Sequence, residues 1–257
     1  MKNFKSYGFK GPSLKVLVAL SEIKSSLYHT YPKKKKSGGF RMIDEPCCEM
    51  KGHQRFLYET VLSDLRIYKP CTHGFIQGRS IESNALCHTK KEIVVNLDIK
   101  NFFSSITKKR VKDIFLKNGW NIIYANILAN FCTYKGVLPQ GAPTSPMLTN
   151  AICHDMDKKL YLFCLKNKIK YTRYADDMTF SGKEIVVLDN LNKIKSIVKD
   201  HDFVVNEKKT SIMKKHQRQV VTGLVVNEKV NVKREKYMLV RQQIYYCNKY
   251  GVKDHLD

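Results

Sequence analysis

The sequence predicts an α+β protein, with helices packed on one sheet, and three observations carry that reading. Ile93-Val94-Val95 and Leu97 make a short apolar strand that ends on Asp98. The segment YTRYADDMTFSG reads as strand, acid pair, strand, with Tyr171, Tyr174, Met178 and Phe180 flanking Asp176 and Asp177. Stretches with helical apolar spacing lie between and after these features, so the predicted order is strand, helices, acid-tipped hairpin, helix, strand and hairpin. Such a layer can bring Asp98 beside Asp176 although the two are far apart in the chain.

The elements follow in order. Residues 13–31 space Leu14, Leu17, Val18, Leu20 and Ile23 as a helical face. PKKKKSGGFRMIDEP then gives a basic run, a Gly-Gly flex point and a short FRMI strand closed by Pro46. The lysines read either as a solvated loop or, beside Arg41, as phosphate contacts. Helical spacing returns over 51–68 through Phe56, Leu57, Val61, Leu62 and Leu65, and a polar, Gly-containing loop leads to the Asp98 strand. An acid there is costly unless it is paired, exposed or metal-bound; the alternative is a cap on the next helix.

Residues 108–132 read as helix and end at YKGVLPQGAPTSPML, whose three prolines and two glycines exclude a regular helix. Gln140, Thr144 and Ser145 therefore belong to an ordered loop, with Pro146 in the first turn of the next helix. That helix presents Ile152, Met156, Leu160 and Phe163 on one face. After YADD come a helix at DNLNKIKSIVKDHDF, a strand in VVNEKKTSIM, a hairpin at VVTGLVVNEKVNV and a C-terminal helical segment carrying Tyr237, Tyr245 and Tyr246.

Composition narrows the function. The chain has 257 residues, with 46 Lys and Arg against 23 Asp and Glu, a formal charge of +23 that points to a polyanionic partner. No apolar run approaches the roughly 20 residues needed to span a bilayer, and MKNFKSYGFKGPS lacks the features of a signal peptide. The eight cysteines contain no CxxC pair and fit reduced thiols, so the expected location is the cytoplasm. In so basic a chain, two adjacent acids at a hairpin tip are either solvated or hold a cation. With Asp98 they make three carboxylates on one sheet edge, and hard oxygen ligands suit two Mg²⁺ ions, with Mn²⁺ able to substitute.

LDIKNFF, LPQGAPTSP, YADD and NEKKT, in this order and spacing, resemble the palm and fingers motifs of reverse transcriptases, from about Ser13 to Gly251. Asn84-Ala85-Leu86-Cys87-His88 fits the NAxxH element of retron enzymes, and Val221-Thr222-Gly223 fits their VTG element. The resemblance implies a right-hand polymerase fold: an N-terminal helix and fingers over 1–92, a palm over 93–226 with an inserted helical segment around 108–140, and the start of a thumb over 227–257. The thumb is short or truncated relative to the several helices usual in retron enzymes.

The implied function is an RNA-directed DNA polymerase of a retron, making branched RNA-linked single-stranded DNA (msDNA) from its own structured noncoding RNA, in anti-phage defence. Its partners would be that RNA template-primer, the DNA product, deoxynucleoside triphosphates and an effector protein, with no membrane. Two alternatives are another bacterial reverse transcriptase, of group II intron or defence type, and an RNA-binding scaffold that restrains an effector. By resemblance, Asp98 and Asp176 ligate both metals with the Ile99 carbonyl, and Asp177 is the third carboxylate. Phe103 gates the sugar against a 2′-hydroxyl, with Phe102 as its core neighbour. Gln140 contacts the nucleotide, Arg41 grips the triphosphate, and Lys209 protonates pyrophosphate. Asn84, Ala85, His88, Thr222 and Gly223 are the implied RNA-binding residues, although a histidine such as His88 is also at home as a satisfied structural group. The basic C-terminal helix reads equally as an RNA-binding or a plain amphipathic element.

Overall fold

A computed structural model describes residues 11–35 and 38–252. The reading of the first ten residues and the Lys36-Ser37 step of the basic run lie outside the described residues. The first predicted helix is corrected. Helix α1 (Gly11–Glu22) and the single turn α2 (Lys24–Leu27) stop before Tyr28, and the chain continues as β1 (Tyr28–Lys34). The reason is a β-favouring run of Tyr, Thr and Tyr anchored from outside: Tyr28 stacks on Tyr134 with centroids 4.3 Å apart and accepts a hydrogen bond from Gln54 Nε2 at 2.9 Å. Strand β1 pairs antiparallel with β2 (Phe40–Pro46), so Lys33 and Lys34 of the lysine run are strand rather than loop, and Lys33 stands opposite Arg41.

Helix α3 (Cys48–Thr60) is shorter than its apolar spacing predicts; a 3-10 turn at Leu62–Asp64 follows, and Leu57, Leu62 and Leu65 are all buried. A one-turn helix, α4 (Ile81–Leu86), is closed by a reciprocal cap between Ser80 and Ser83. The predicted helix over 108–132 is two helices, α5 (Lys108–Lys117) and α6 (Ile122–Cys132). Gly119, at φ +87°, breaks them, and Asn121 caps the second. Pro146 sits in the first turn of α7 (Ser145–Ile152), and a break at Cys153 leads to α8 (His154–Lys166).

Strand β3 (Ile93–Asp98) is central in a four-stranded antiparallel sheet with β4 (Lys170–Tyr174), β5 (Asp177–Gly182) and β6 (Ser211–Lys214), in the order β4-β5-β3-β6. Helix α9 (Glu184–Lys199) connects β5 to the last part of the sheet. The period-two alternation of a strand sorts the side chains. Ile93, Val95 and Leu97 join the large core together with Tyr171, Met178 and Phe180. Val94, Asn96 and Asp98 alternate to the other face, where Val94 packs with Ala85, Val221 and Val226 in a small second core. That second core is roofed by α4 and the hairpin of β7 (Val220–Val221) and β8 (Leu224–Val225), whose turn residues Thr222 and Gly223 both have positive φ, +47° and +88°. This is the twist-matched two-residue turn for which glycine is favoured. Helix α10 (Arg234–Tyr250) has no buried residue.

Candidate active site

Register alone brings two acids together: Asp98, last in β3, is the cross-strand partner of Asp177, first in β5. The YADD turn is a two-residue connection between Tyr174 and Asp177, with Ala175 at φ +56°. Its position is fixed by the Ile99 N–H, which donates to the Asp176 carbonyl at 3.0 Å. Asp98, Asp176, Asp177 and Lys209 line one cleft of about 590 Å³, whose far wall is the VTG turn at Thr222 and Gly223. Tyr174, Asn96 and Thr179 complete its floor, because they alternate onto the same sheet face as Asp98.

The electrostatics are those of an anionic pocket short of positive charge. Burial, then the neighbouring Asp176 and Asp98, push the Asp177 carboxyl up to about 6. Asp176 is raised for the same reasons, burial first and Asp98 next, and the Arg41 charge partly opposes the rise. Asp98 is the one acid already neutralised: Lys209 Nζ lies 2.8 Å from its Oδ2, and Asn206 Nδ2 donates to Oδ1 at 3.1 Å. Among the described residues no three His, Cys, Asp or Glu side chains converge tightly enough to form a ready metal site. The donor set nevertheless fits hard divalent cations, since three carboxylates share one cleft and an ammonium holds a cation's place on Asp98.

Asp177 has a folded pKa near 6 against about 3.9 when unfolded, so the fold favours its protonated form. The stabilisation is present below about pH 4 and is lost as pH rises through 6, by on the order of 1 kcal/mol after screening, because the residue reaches solvent at the cleft mouth although its carboxyl is crowded by the cleft walls. In EDTA the melting temperature should fall over that interval, and Asp177→Asn should remove this part of the fall. A step of equal size in Asp177→Asn would show that another group causes it.

Around this centre the expected residues separate. Thr222 and Gly223 are in the cleft, with the Thr222 hydroxyl donating to the Ile81 carbonyl at 3.0 Å. Arg41 is exposed on β2, on the same hairpin face as Lys33. Gln140 is half-buried and its carbonyl accepts from the Asp44 N–H at 3.1 Å, tying the β1–β2 hairpin to the LPQGAP loop. Phe103 is partly buried, with its ring 5.6 Å from that of Phe102, and Phe102 is buried in the core. Phe103, Gln140 and Arg41 are not among the residues lining the acid cleft.

Asn84, Ala85 and His88, expected at the RNA, are all buried. His88 is 0% exposed, and its ring nitrogens bond Ser181 Oγ and Thr172 Oγ1, each at 2.7 Å, clasping β4 and β5 from the cleft face. Burial, with the Lys170 charge, pushes its imidazole down to about 3, so it works as a neutral strut. His88→Ala should lower unfolding free energy by about 3 kcal/mol through a cavity and two unpaired hydroxyls. Urea denaturation measures this; a loss under about 1 kcal/mol would contradict the strut.

What the residue pattern did not reveal lies behind the turn. Arg173, on the core face of β4, forms a fully buried ion pair with Asp157 of α8, and Asn150 of α7 joins them. An arginine one residue before YADD was the available signal.

Comparison with known proteins agrees with this geometry. Residues 32–232 match the family model described as reverse transcriptase (RNA-dependent DNA polymerase). The chain is 34% identical over 248 residues to the retron Ec86 reverse transcriptase of Escherichia coli, covering 95% of this chain and 77% of that protein. It is 33% identical over 237 residues to the retron Mx65 reverse transcriptase of Myxococcus xanthus, covering 85% of this chain and 55% of that one. Telomerase from Candida albicans superposes with a TM-score of 0.55 at 12% identity, over 87% of this chain and 50% of the other. The likeness to telomerase shows a right-hand polymerase fold. The chain thus spans about three quarters of one curated relative and about half of the other two proteins.

Proposed function

This chain belongs to the reverse transcriptase family, as an RNA-directed DNA polymerase of retron type, and from that premise we propose that it copies a structured noncoding RNA into single-stranded DNA branched from that RNA. We read the N-terminal helix and β1–β2 hairpin as fingers, the four-stranded sheet as palm and α10 as the first element of a thumb. The observation that carries the reading is the cross-strand pairing of Asp98 with Asp177, at the mouth of a cleft that Asp176 and Lys209 share.

In this reading Asp98, Asp176 and Asp177, with the Ile99 carbonyl, hold two divalent ions, Mg²⁺ in the cell. Bound there, the ions lower the pKa of an attacking hydroxyl and stabilise the charge of the departing pyrophosphate. Arg41, with Lys33 beside it, orients the triphosphate from the fingers. Gln140 and Phe103 hold base and sugar. Lys209, already 2.8 Å from Asp98, is placed to exchange that partner for pyrophosphate oxygen and to deliver a proton to it. The surplus of basic residues binds the phosphates of template and product. Work in the cytoplasm, in defence against phage and beside an effector, completes the proposal.

The test is primer extension on a primed RNA with deoxynucleotides and Mg²⁺. The purified chain should lengthen the primer, EDTA should stop it, and the cognate noncoding RNA should yield a product in which DNA remains joined to RNA after protease treatment. Extension of generic templates without any branched product would leave a reverse transcriptase of another type.

A further inference from the structure

The hairpin that carries Asp176 and Asp177 has a tip too small to define its own geometry. Ala175 sits in the left-handed region, which is unfavourable for a residue with a Cβ, so something outside the turn must hold it there. The structure supplies that hold from behind. Arg173 Nη1 donates to the Ala175 carbonyl at 2.9 Å, which aims the guanidinium at the strained peptide itself. Three further N–H donors of the same group anchor it: Nε donates to Asp157 Oδ1 at 2.9 Å, and Nη2 donates to Asp157 Oδ2 at 2.7 Å and Asn150 Oδ1 at 3.1 Å.

Asp157 is in turn saturated. Tyr171 OH donates to its Oδ1 at 2.8 Å and Thr72 Oγ1 to its Oδ2 at 3.1 Å. Asn150 Nδ2 donates to the Gly74 carbonyl at 2.9 Å, and Gly74 lies flat against the turn: a Cβ on it would be 2.5 Å from the Ala175 nitrogen. Arg173 and Asp157 are both 0% exposed. A buried ion pair is a weak source of stability, because its desolvation offsets its attraction. What it supplies well is direction, since a planar fork bonded through all three of its nitrogens has a single orientation.

We propose that Arg173 and Asp157, with Asn150 and Gly74, are positioning residues that hold the Ala175 peptide and thereby set where Asp176 and Asp177 stand relative to Asp98. They touch neither substrate nor the reacting atoms. The proposal rests on the assignment of these acids to the polymerase reaction, and it adds that their precision comes from a polar cluster linking α7, α8 and the loop at Thr72–Gly74.

The decisive variant is Arg173→Lys in the full chain. It keeps a positive charge beside Asp157 but cannot bond Asp157, Asn150 and the Ala175 carbonyl together. Gly74→Ala is the second variant, pressing on the turn without touching the ion pair. Five quantities are read: the melting temperature, the Kd for a primed RNA template, kcat and KM for deoxynucleotides, and amide exchange at Ile99, whose N–H bonds the Asp176 carbonyl. Folded variants should bind template-primer within about twofold of wild type and lose about 10- to 100-fold in kcat, with Ile99 exchanging at least about tenfold faster. Wild-type kcat and wild-type Ile99 exchange in a folded variant would overturn the proposal, as would a loss that only follows template affinity. If Arg173→Lys does not fold, Gly74→Ala decides by the same readouts. If the wild-type chain itself extends no primer, the polymerase reading fails, and Ile99 exchange alone decides the positioning role.

Discussion

Asp176→Asn is expected to cut primer extension by about 1,000-fold or more while leaving the divalent-free protein at least as stable as wild type. The two halves of this expectation come from one feature. Asp176 is raised in pKa by burial and by Asp98, so its ionised form is held at a cost to the fold. An amide of the same shape removes that repulsion, and the melting temperature in EDTA should rise or stay level. The same change removes a charged oxygen from the cleft, which weakens cation binding and turnover together. Divalent cations should then raise the melting temperature of wild type and have less effect on the variant. A variant that extends primers at the wild-type rate would mean that Asp176 has no part in the reaction.

Gly141→Ala is expected to raise the KM for deoxynucleotides by about tenfold and to cost about 2–4 kcal/mol of stability. Gly141 has φ +141°, and a Cβ there would lie 2.8 Å from the Asp44 carbonyl and 3.2 Å from the Ile43 methyl. Both contacts belong to β2, and the Asp44 carbonyl, being backbone, can retreat only by straining the bond between the Asp44 N–H and the Gln140 carbonyl. The substitution therefore displaces the hairpin that carries Arg41 and the loop that carries Gln140 at once. Template-primer affinity should change less, because the acid cleft and the VTG turn are built from other elements. Steady-state kinetics and calorimetry separate these effects; an unchanged KM in a destabilised but folded variant would refute the coupling.

The parts of the site that could be read from the chain are those whose local pattern and chemistry agree. The apolar run ending on Asp98, the acid-tipped hairpin and the proline-rich loop opening a helix at Pro146 each combine a periodicity with a breaker, and each forms as expected. The failures have specific causes. Tyr28–Tyr31 continues a helical spacing, yet the ring stack on Tyr134 and pairing with β2 draw it into a strand. His88 fits a motif, but its place between two hydroxyls depends on strands that lie more than 80 residues further on. Beyond an arginine next to YADD, nothing local marks the Arg173–Asp157 charges as buried: β4 is an edge strand, where an arginine ordinarily meets solvent. Register decides which face Arg173 takes, and register is a property of the assembled sheet.

Strand β3 pairs on one side with β5, roughly 80 residues later, and on the other with β6, roughly 115 residues later, so its closure is dominated by non-local contacts of the kind that fold slowly. During synthesis at about 5–20 residues per second, the Ile93–Leu97 segment, apolar except for Asn96, waits for several seconds before either neighbour has been made. An unpaired strand of that composition is a hazard for misassembly, and Asp98 at its end supplies a charge that discourages it. The carboxylate proposed to hold cations in the finished enzyme would thus also guard the nascent chain, and neutral substitutions at Asp98 should lower the soluble yield as well as the activity.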